Sequence, residues 1–252
     1  MTRRFFAFDL AAKALAVALW RPAPWASALC FFGPDLWLLH ALLAPSSQVL
    51  VRVFTRFEPQ GAEVFLTIDD GPDGEDTPRL LDALDRHGAR AAFFLIGARA
   101  ERQPALVAEI LRRGHTVGHH TQTHPTATFW CARAARVRAE LDLATAGLRR
   151  AGADPRWFRP PVGIKNIHLR RELAERGLAC VGWSLRTHDC RGRDPARIAA
   201  RALARVRPGD IILMHEGVSV RPAVRVAAIA QLLAGLEARG IRCVVPRQEQ
   251  LR

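Results

Sequence analysis

Short apolar runs alternate with segments of helix length from about Glu63 onward, and this alternation constrains the fold more than any other feature. The apolar runs are residues 64–68, 91–96, 116–118, 157–158, 179–183, 211–214 and 242–245. The helix-length segments between them are residues 78–87, 104–113, 132–150, 169–176, 195–207 and 224–239. Strands that alternate with helices form parallel sheets with the helices packed outside. About seven such units therefore predict an α/β barrel, closed or incomplete.

The first fifty residues have a different character. Two mostly apolar segments, residues 5–20 and 25–45, flank a break that contains two prolines. Asp9, Lys13 and Asp35 interrupt them, so neither is an uninterrupted apolar run of about 18 residues. No A-x-A cleavage site closes a short apolar core. We therefore expect residues 1–50 to be an apolar N-terminal helical segment and residues 51–252 to be a separate domain.

Three interpretations of residues 1–50 remain open: a transmembrane hairpin, one span plus an interfacial helix, or an apolar cap on the barrel. Membrane association is the favoured one, at the inner membrane of a bacterium, and a cytoplasmic protein is the alternative. The basic N-terminus favours a cytoplasmic start. A hairpin would return residues 51–252 to the cytoplasm, whereas a single span would place them outside.

The chain carries a formal net charge of +13, and 35 of its 37 basic residues are arginines. These arginines are spread along the chain rather than gathered in one tail. They are either solvated helix faces or a surface that attracts an anionic partner, such as phospholipid headgroups or an acidic glycan. No nucleic-acid recognition motif is present, so we expect no nucleic-acid partner.

Polar side chains that can carry chemistry follow the apolar runs. They are, in chain order, Asp69 and Asp70, His119, His120 and His124, Arg159, Asp189 and His215. In a parallel barrel the carboxyl ends of all strands lie on one face, where catalytic residues collect. These side chains are therefore expected to converge on one site.

His120 and His124 lie four residues apart in the stretch HTQTH, so both imidazoles can reach one ion. One carboxylate from the Asp69–Asp70 pair would complete three protein ligands and leave a position open. Such a set suits catalytic Zn²⁺, and also Co²⁺, Ni²⁺ or Fe²⁺. The second aspartate could stay ionised beside the cation as a general base.

Four motifs resemble those of the NodB-like polysaccharide deacetylases, carbohydrate esterase family 4. LTIDDGP resembles the family's TFDDGP, and HTQTHP resembles H-S/T-x-x-H-P. WFRPPVG resembles R-P-P-Y-G, and LMH resembles L-x-H. The resemblance spans roughly residues 63–245. It implies a distorted (β/α) barrel of seven strands and a hydrolase that removes the N-acyl, typically N-acetyl, group of an amino sugar.

The resemblance also assigns roles to the residues at the strand ends. It implies that Asp69 is the general base. It also implies that Asp70, His120 and His124 bind one divalent metal, for which zinc is the first candidate. Arg159 would hold and orient the charge of Asp69.

The remaining roles concern the leaving group and the oxyanion. His215 would be the general acid that protonates the leaving amine, and Asp189 would orient His215. The backbone N–H of Val162 would stabilise the oxyanion that forms when water attacks an N-acetyl or N-formyl carbonyl.

Two departures from the family pattern concern the substrate. The family's D-x-x-D-W motif reads Arg186-Thr187-His188-Asp189-Cys190 here, and Val162 replaces the usual tyrosine. The wall of the substrate pocket therefore differs from that of enzymes acting on long chitin or peptidoglycan chains. Because arginine suits phosphate, Arg186 and the apolar segment raise a lipid-phosphate-linked amino sugar as a substrate alternative to a polysaccharide or oligosaccharide.

Two other functions remain alternatives. An O-acetyl ester hydrolase acting on a polysaccharide such as xylan would share the metal site. An inactive glycan- or lipid-binding module is less consistent with the full set of polar residues, since inactive relatives usually lose the base or a metal ligand.

Overall fold

The computed structural model describes residues 2–217 and 221–252, and in them the alternating part of the chain becomes a parallel sheet with helices outside. The strands are β1 (Val53–Phe54), β2 (Glu63–Asp69), β3 (Ala91–Leu95), β4 (Thr116–His119), β5 (Trp157–Phe158), β6 (Ala179–Val181), β7 (Leu185–Arg186), β8 (Ile211–His215) and β9 (Arg242–Cys243). The helices are α1 (Thr2–Leu19), α2 (Pro24–Leu43), α3 (Asp76–Arg86), α4 (Gly97–Arg102), α5 (Pro104–Arg112), α6 (Ala134–Arg150), α7 (Leu169–Glu175), α8 (Pro195–Leu203) and α9 (Pro222–Glu237).

The sheet curls into an incomplete barrel. Its strand order is β1-β6-β5-β4-β3-β2-β8-β7, with β9 paired to the start of β2, and every pairing between these strands is parallel. β1 and β7 are the ends of this order, so the barrel is open between them. This architecture confirms the predicted distorted (β/α) barrel with an N-terminal helical extension.

The number of strands differs from the prediction. All seven predicted strands are present, but the described residues contain nine, because Val53–Phe54 and Leu185–Arg186 also pair in the sheet. Each added strand is two residues long and lies at one end of the strand order, outside the predicted apolar runs. The predicted run 179–183 ends at Val181, and the chain bends before β7 begins.

The core lies between the central strands and the outer helices. Every residue of β2 and β3 is buried, as expected for parallel strands covered on both faces. Helix α3 shows how an amphipathic sequence meets this sheet: Leu80, Leu81 and Leu84 are fully buried, whereas Asp82 and Asp85 face solvent. Burying a leucine side chain stabilises the fold by about 1.5–3 kcal/mol.

Helices α1 and α2 form an antiparallel hairpin. The ring of Phe5 stacks on Trp37 with centroids 5.5 Å apart, and the Ser27 hydroxyl donates to the Ala16 carbonyl at 2.6 Å. Lys13 forms ion pairs with Asp9 on its own helix and with Asp35 on the other. The hairpin carries 14 of the 17 exposed large hydrophobic side chains of the described residues, so most of its apolar surface has no protein cover.

Candidate active site

The carboxyl end of β2 carries the two adjacent aspartates. Asp69 is the last residue of the strand, and Asp70 turns the chain with a positive φ of 75°. Aspartate tolerates this left-handed conformation better than most residues. The Asp70 N–H donates to the Phe94 carbonyl of β3 at 3.2 Å, which fixes the turn against the neighbouring strand. The two carboxylates therefore have different surroundings although they are neighbours in the chain.

Asp70, His120 and His124 converge as predicted. Asp70 Oδ1 lies 3.4 Å from His120 Nε2 and 3.2 Å from His124 Nε2. The other ring nitrogen of His120 donates to the Arg159 carbonyl at 2.7 Å, which orients Nε2 toward the cluster. Asp70 Oδ1 is buried and has no hydrogen-bond partner among the described residues. A buried carboxylate oxygen facing two imidazole nitrogens fits a divalent cation such as Zn²⁺.

The protonation states of this cluster also suit metal binding. Burial alone raises the pKa of Asp70, but interaction with His120, and the charges of His124 and His215, outweigh it and lower that pKa to about 2. Burial, followed by the charge of His120, lowers the pKa of His124 to about 4. Carboxylate and neutral imidazole are the forms that bind metals.

Asp69 pairs with a fully buried arginine. Arg159 Nη1 donates to Asp69 Oδ1 at 2.6 Å and to the Thr67 hydroxyl at 2.8 Å. The other guanidinium nitrogens donate to the carbonyls of Val181 and Gly182. This network compensates the cost of burying the guanidinium and holds one oxygen of Asp69, while Oδ2 lies 3.8 Å from His120 Nε2. The guanidinium of Arg159 thus fixes Asp69 beside the cluster of Asp70, His120 and His124.

His215 and Asp189 form the third group. His215 Nδ1 lies 3.0 Å from Asp189 Oδ1, the His215 backbone N–H donates to Oδ2 at 2.7 Å, and the Thr187 hydroxyl donates to Oδ1. Burial alone lowers the pKa of His215, but Asp189, with the charges of Asp69 and Asp70, raises it to about 9. The imidazolium form therefore prevails at neutral pH, with Nδ1–H donating to Asp189 and Nε2–H available to a substrate.

The two residues predicted to contact substrate lie at the edge of this cluster. Val162 is half exposed, with a φ of 49°, on the short 3₁₀ turn Pro161–Gly163 that follows Arg159. Arg186 is exposed and lines a separate pocket, whose lining includes none of the metal-binding residues. The structure therefore brings seven predicted residues together, whereas Arg186 lines a different pocket and Val162 lies on the turn after Arg159.

Sequence reasoning missed the residues that support the site. Glu140 of α6 is buried and accepts hydrogen bonds from the backbone N–H groups of Gln122 and Thr123 at 3.0 and 2.8 Å, so it holds the loop before His124. A lone glutamate in an amphipathic helix gives no signal that separates it from a solvated one. The ring of Trp183 lies 5.6 Å from the guanidinium carbon of Arg159, and no sequence motif indicated this role.

Comparisons with known proteins agree with this geometry. The polysaccharide deacetylase family model matches residues 58–181. The chain is 39% identical over 156 residues to a chitooligosaccharide deacetylase of Bradyrhizobium sp. (strain ANU 289), covering 61% of this chain and 70% of that protein. It is 35% identical over 184 residues to a peptidoglycan-N-acetylglucosamine deacetylase of Bacillus cereus, covering 73% and 66%.

A solved structure is similar throughout the barrel. The family 4 carbohydrate esterase from Streptomyces lividans, in complex with acetate, superposes with a TM-score of 0.69 and 33% identity. The match covers 77% of this chain and 97% of that one. The fold, the motifs and the relatives agree, and the chain belongs to the polysaccharide deacetylase family of hydrolases, as its sequence motifs predicted.

Proposed function

We propose that the chain is a divalent-metal-dependent hydrolase that removes the acetyl group from the nitrogen of an N-acetylated amino sugar in a glycan. The observation that carries this proposal is the buried Asp70 Oδ1, without a hydrogen-bond partner among the described residues, between His120 and His124. The names of the relatives, which act on chitooligosaccharides and on peptidoglycan N-acetylglucosamine, support the substrate class.

The chain's own residues divide the chemistry between them. A divalent cation held by Asp70, His120 and His124, with zinc as the first candidate and cobalt, nickel or iron as alternatives, would polarise the acetyl carbonyl and lower the pKa of a nearby water molecule. Asp69, held by its ion pair with Arg159, accepts the proton of the attacking water.

The leaving group and the oxyanion need separate donors. His215 gives the proton of its free ring nitrogen to the amine as the carbon–nitrogen bond breaks, and Asp189 holds the ring in place. The backbone N–H of Val162, on the turn after Arg159, donates to the oxyanion. The elevated pKa of His215 supports its acid role, because the group must carry its proton at neutral pH.

We further propose that residues 1–50 attach the catalytic domain, residues 51–252, to a bacterial inner membrane. Helix α2 is long and apolar enough to cross a bilayer, with a mean hydropathy of 1.4, and only 22% of its span is buried by protein. The exposed apolar surface of α1 and α2 favours a membrane contact over an apolar cap on the barrel. The side of the membrane that the catalytic domain occupies follows from whether both helices cross.

The contact of Lys165 with the end of the hairpin favours a lipid-linked sugar as a second candidate substrate, because it places the proposed membrane segment beside the active site. Lys165 is fully buried, and its ammonium donates to the carbonyls of Ala44 and Pro45, just beyond α2, at 2.5 and 3.1 Å. Its backbone N–H donates to the Leu42 carbonyl at 2.8 Å. Because Lys165 follows the turn that carries Val162, the end of the hairpin is fastened to the rim of the active site.

The test of the proposed function is acetate release from an N-acetylglucosamine tetramer by the full chain in neutral detergent. We expect a chelator to abolish release and added zinc to restore it, and His124→Ala to reduce both bound zinc and release. His87→Ala, which changes a histidine far from the cluster, is the control. Release that is indifferent to the chelator would contradict the metal site, and acetate released only from acetylated xylan would make the chain an ester hydrolase.

A further inference from the structure

The segment from β7 to the turn after α8, residues 186–207, carries an excess of positive charge. Between residues 186 and 207 it has seven arginines, Arg186, Arg191, Arg193, Arg197, Arg201, Arg205 and Arg207, and none of them forms an ion pair with a described carboxylate. The segment's two carboxylates are otherwise engaged. Asp189 binds His215, and Asp194 caps the N-terminus of α8. This charge therefore has no internal function in the structure.

Two of these arginines face a pocket of about 400 Å³. Arg186 and Arg205 line it together with Arg56, His188 and hydroxyl-bearing residues such as Ser46. Arg56 is neutralised by Asp210, which lies under the pocket and binds it at 2.6 Å. Burial, and then the charges of four arginines that include Arg186 and Arg205, lower the pKa of His188, which also lines the pocket. Two guanidinium groups thus remain uncompensated at one pocket.

The position of this pocket relates it to both the catalytic centre and the membrane hairpin. Trp183 forms part of its wall and also lies 5.6 Å from the guanidinium carbon of Arg159. Pro45, whose carbonyl Lys165 binds, lines the same pocket. The pocket therefore lies between the end of α2 and the catalytic residues, one aromatic ring away from Arg159.

We propose that this pocket, formed by Arg186 and Arg205, binds the phosphoryl group that links an amino sugar to a membrane lipid. Guanidinium groups bind phosphate through paired, charge-assisted hydrogen bonds. A phosphate held here places the attached sugar beyond Trp183 in the catalytic site and the lipid chain along the hairpin. This inference rests on the proposed deacetylase function and specifies its substrate class.

The test measures binding, so that it does not depend on turnover. The full chain in neutral detergent is titrated by calorimetry with glucosamine joined through phosphate to a farnesyl chain. This sugar carries no N-acetyl group, so the enzyme has no amide bond to hydrolyse. The same glycoside without phosphate and dihexanoyl phosphatidylglycerol are the comparison ligands. Wild type is compared with Arg186→Gln/Arg205→Gln and with Arg133→Gln/Arg170→Gln, which removes two exposed, unpaired arginines elsewhere.

We expect the pocket variant alone to lose about tenfold or more of the affinity for the phosphate-linked sugar, and to bind the phosphate-free glycoside as wild type does. If Arg186→Gln/Arg205→Gln lost as much affinity for phosphatidylglycerol, the pocket would still be a phosphoryl-binding site, but one that binds the headgroups of bulk lipids. Unchanged affinity of the pocket variant for both phosphate ligands would overturn the inference. Because acetate release from the soluble tetramer is measured separately, failure of the deacetylase function would be recognised independently.

Discussion

Asp69 and Asp70 are adjacent in the chain, yet their partners give them different tasks. Asp69 meets the buried guanidinium of Arg159, whereas Asp70 faces His120 and His124. Two like charges side by side are unfavourable without such partners. The motif alone predicted that one carboxylate binds a cation and that the other stays ionised. The family resemblance assigned the partner of each carboxylate, and the contacts in the structure agree with that assignment.

Replacing Asp69 by Asn tests its role as the base. The amide keeps the size of the side chain but cannot accept the proton of the attacking water, so we expect kcat to fall by a factor of about 100 to 10,000. Bound zinc should stay at the wild-type level, because Asp70, His120 and His124 are untouched. Acetate release and metal content are measured together, with the exposed Asp82→Asn as control. An active Asp69→Asn protein would exclude this residue as the base.

The Asp189–His215 pair predicts a shift in the pH profile. The acid form of His215 is needed, and its pKa of about 9 keeps it protonated through neutral pH, so wild-type activity should decline only as the pH rises through about 9. Asp189→Asn removes the hydrogen-bonded charge that raises this pKa, and the decline should move to lower pH. The measurement is the profile of kcat between pH 6 and 10. This window spans both the ordinary pKa of histidine and the raised pKa of His215. Identical basic limbs in the two proteins would refute the assignment.

Helix α6 shows how an outer element supports the site. Glu140 reaches from this helix to the backbone of Gln122 and Thr123, and so it sets the conformation of the loop that ends at His124. His124 itself has a positive φ of 53°, which a free loop would rarely adopt. The residue that holds the loop of His124 is thus on α6, a helix that begins at Ala134, beyond the loop in the chain.

Glu140→Ala is therefore expected to weaken zinc binding by a factor of about 10 to 100 without removing a ligand. The loop loses the acceptor for two backbone N–H groups, and the imidazole of His124 is no longer held in place. Competition with a chromogenic chelator measures the affinity. Glu109→Ala, a change to a half-buried glutamate on α5, serves as control. Equal affinities in the two variants would show that the loop holds its conformation without Glu140.

At this scale the sequence predicted most of the elements. The central strands β2, β3 and β8 were found because parallel strands buried on both faces read as continuous apolar runs. The polar residues that end them were found because all strand ends meet on one face. The two-residue strands β1 and β7 lie outside the predicted apolar runs and were missed, and the six-residue helix α4 is too short to show a helical period. Support from Glu140 depends on tertiary contacts that no local pattern encodes.

The whole molecule combines a barrel with a hairpin whose apolar surface is left mostly exposed by the barrel residues that the structure describes. The sequence identified both parts from their patterns, but it did not show how they are joined. Lys165 links the two parts, because its buried ammonium donates hydrogen bonds to the carbonyls that follow α2. A buried lysine is unusual, and burial lowers the pKa of Lys165 to about 8, while the carbonyls of Ala44 and Pro45 accept the hydrogen bonds of its ammonium. The active site is therefore connected to the part of the chain that we assign to the membrane.

Charges on the exposed face of α2 test the membrane assignment. Leu29 and Leu36 are 66% and 62% exposed, and placing a lysine at the centre of a membrane helix costs about 2.5–3.5 kcal/mol. Leu29→Lys/Leu36→Lys is expected to move the protein from the membrane to the soluble fraction after an alkaline wash. Leu143→Lys, on an exposed face of α6, should leave it in the membrane. Wild type in the soluble fraction would contradict the assignment.

The most direct test of the whole account is mass spectrometry of products from two substrates incubated in parallel with the zinc-loaded full chain. One is an N-acetylglucosamine tetramer and the other is N-acetylglucosamine linked through phosphate to a polyprenyl chain, and Asp69→Asn is run beside wild type. The account predicts loss of acetyl groups from nitrogen by wild type, faster on the lipid-linked sugar, and almost none by the variant. Unchanged mass of both substrates, or equal loss with wild type and Asp69→Asn, would contradict it.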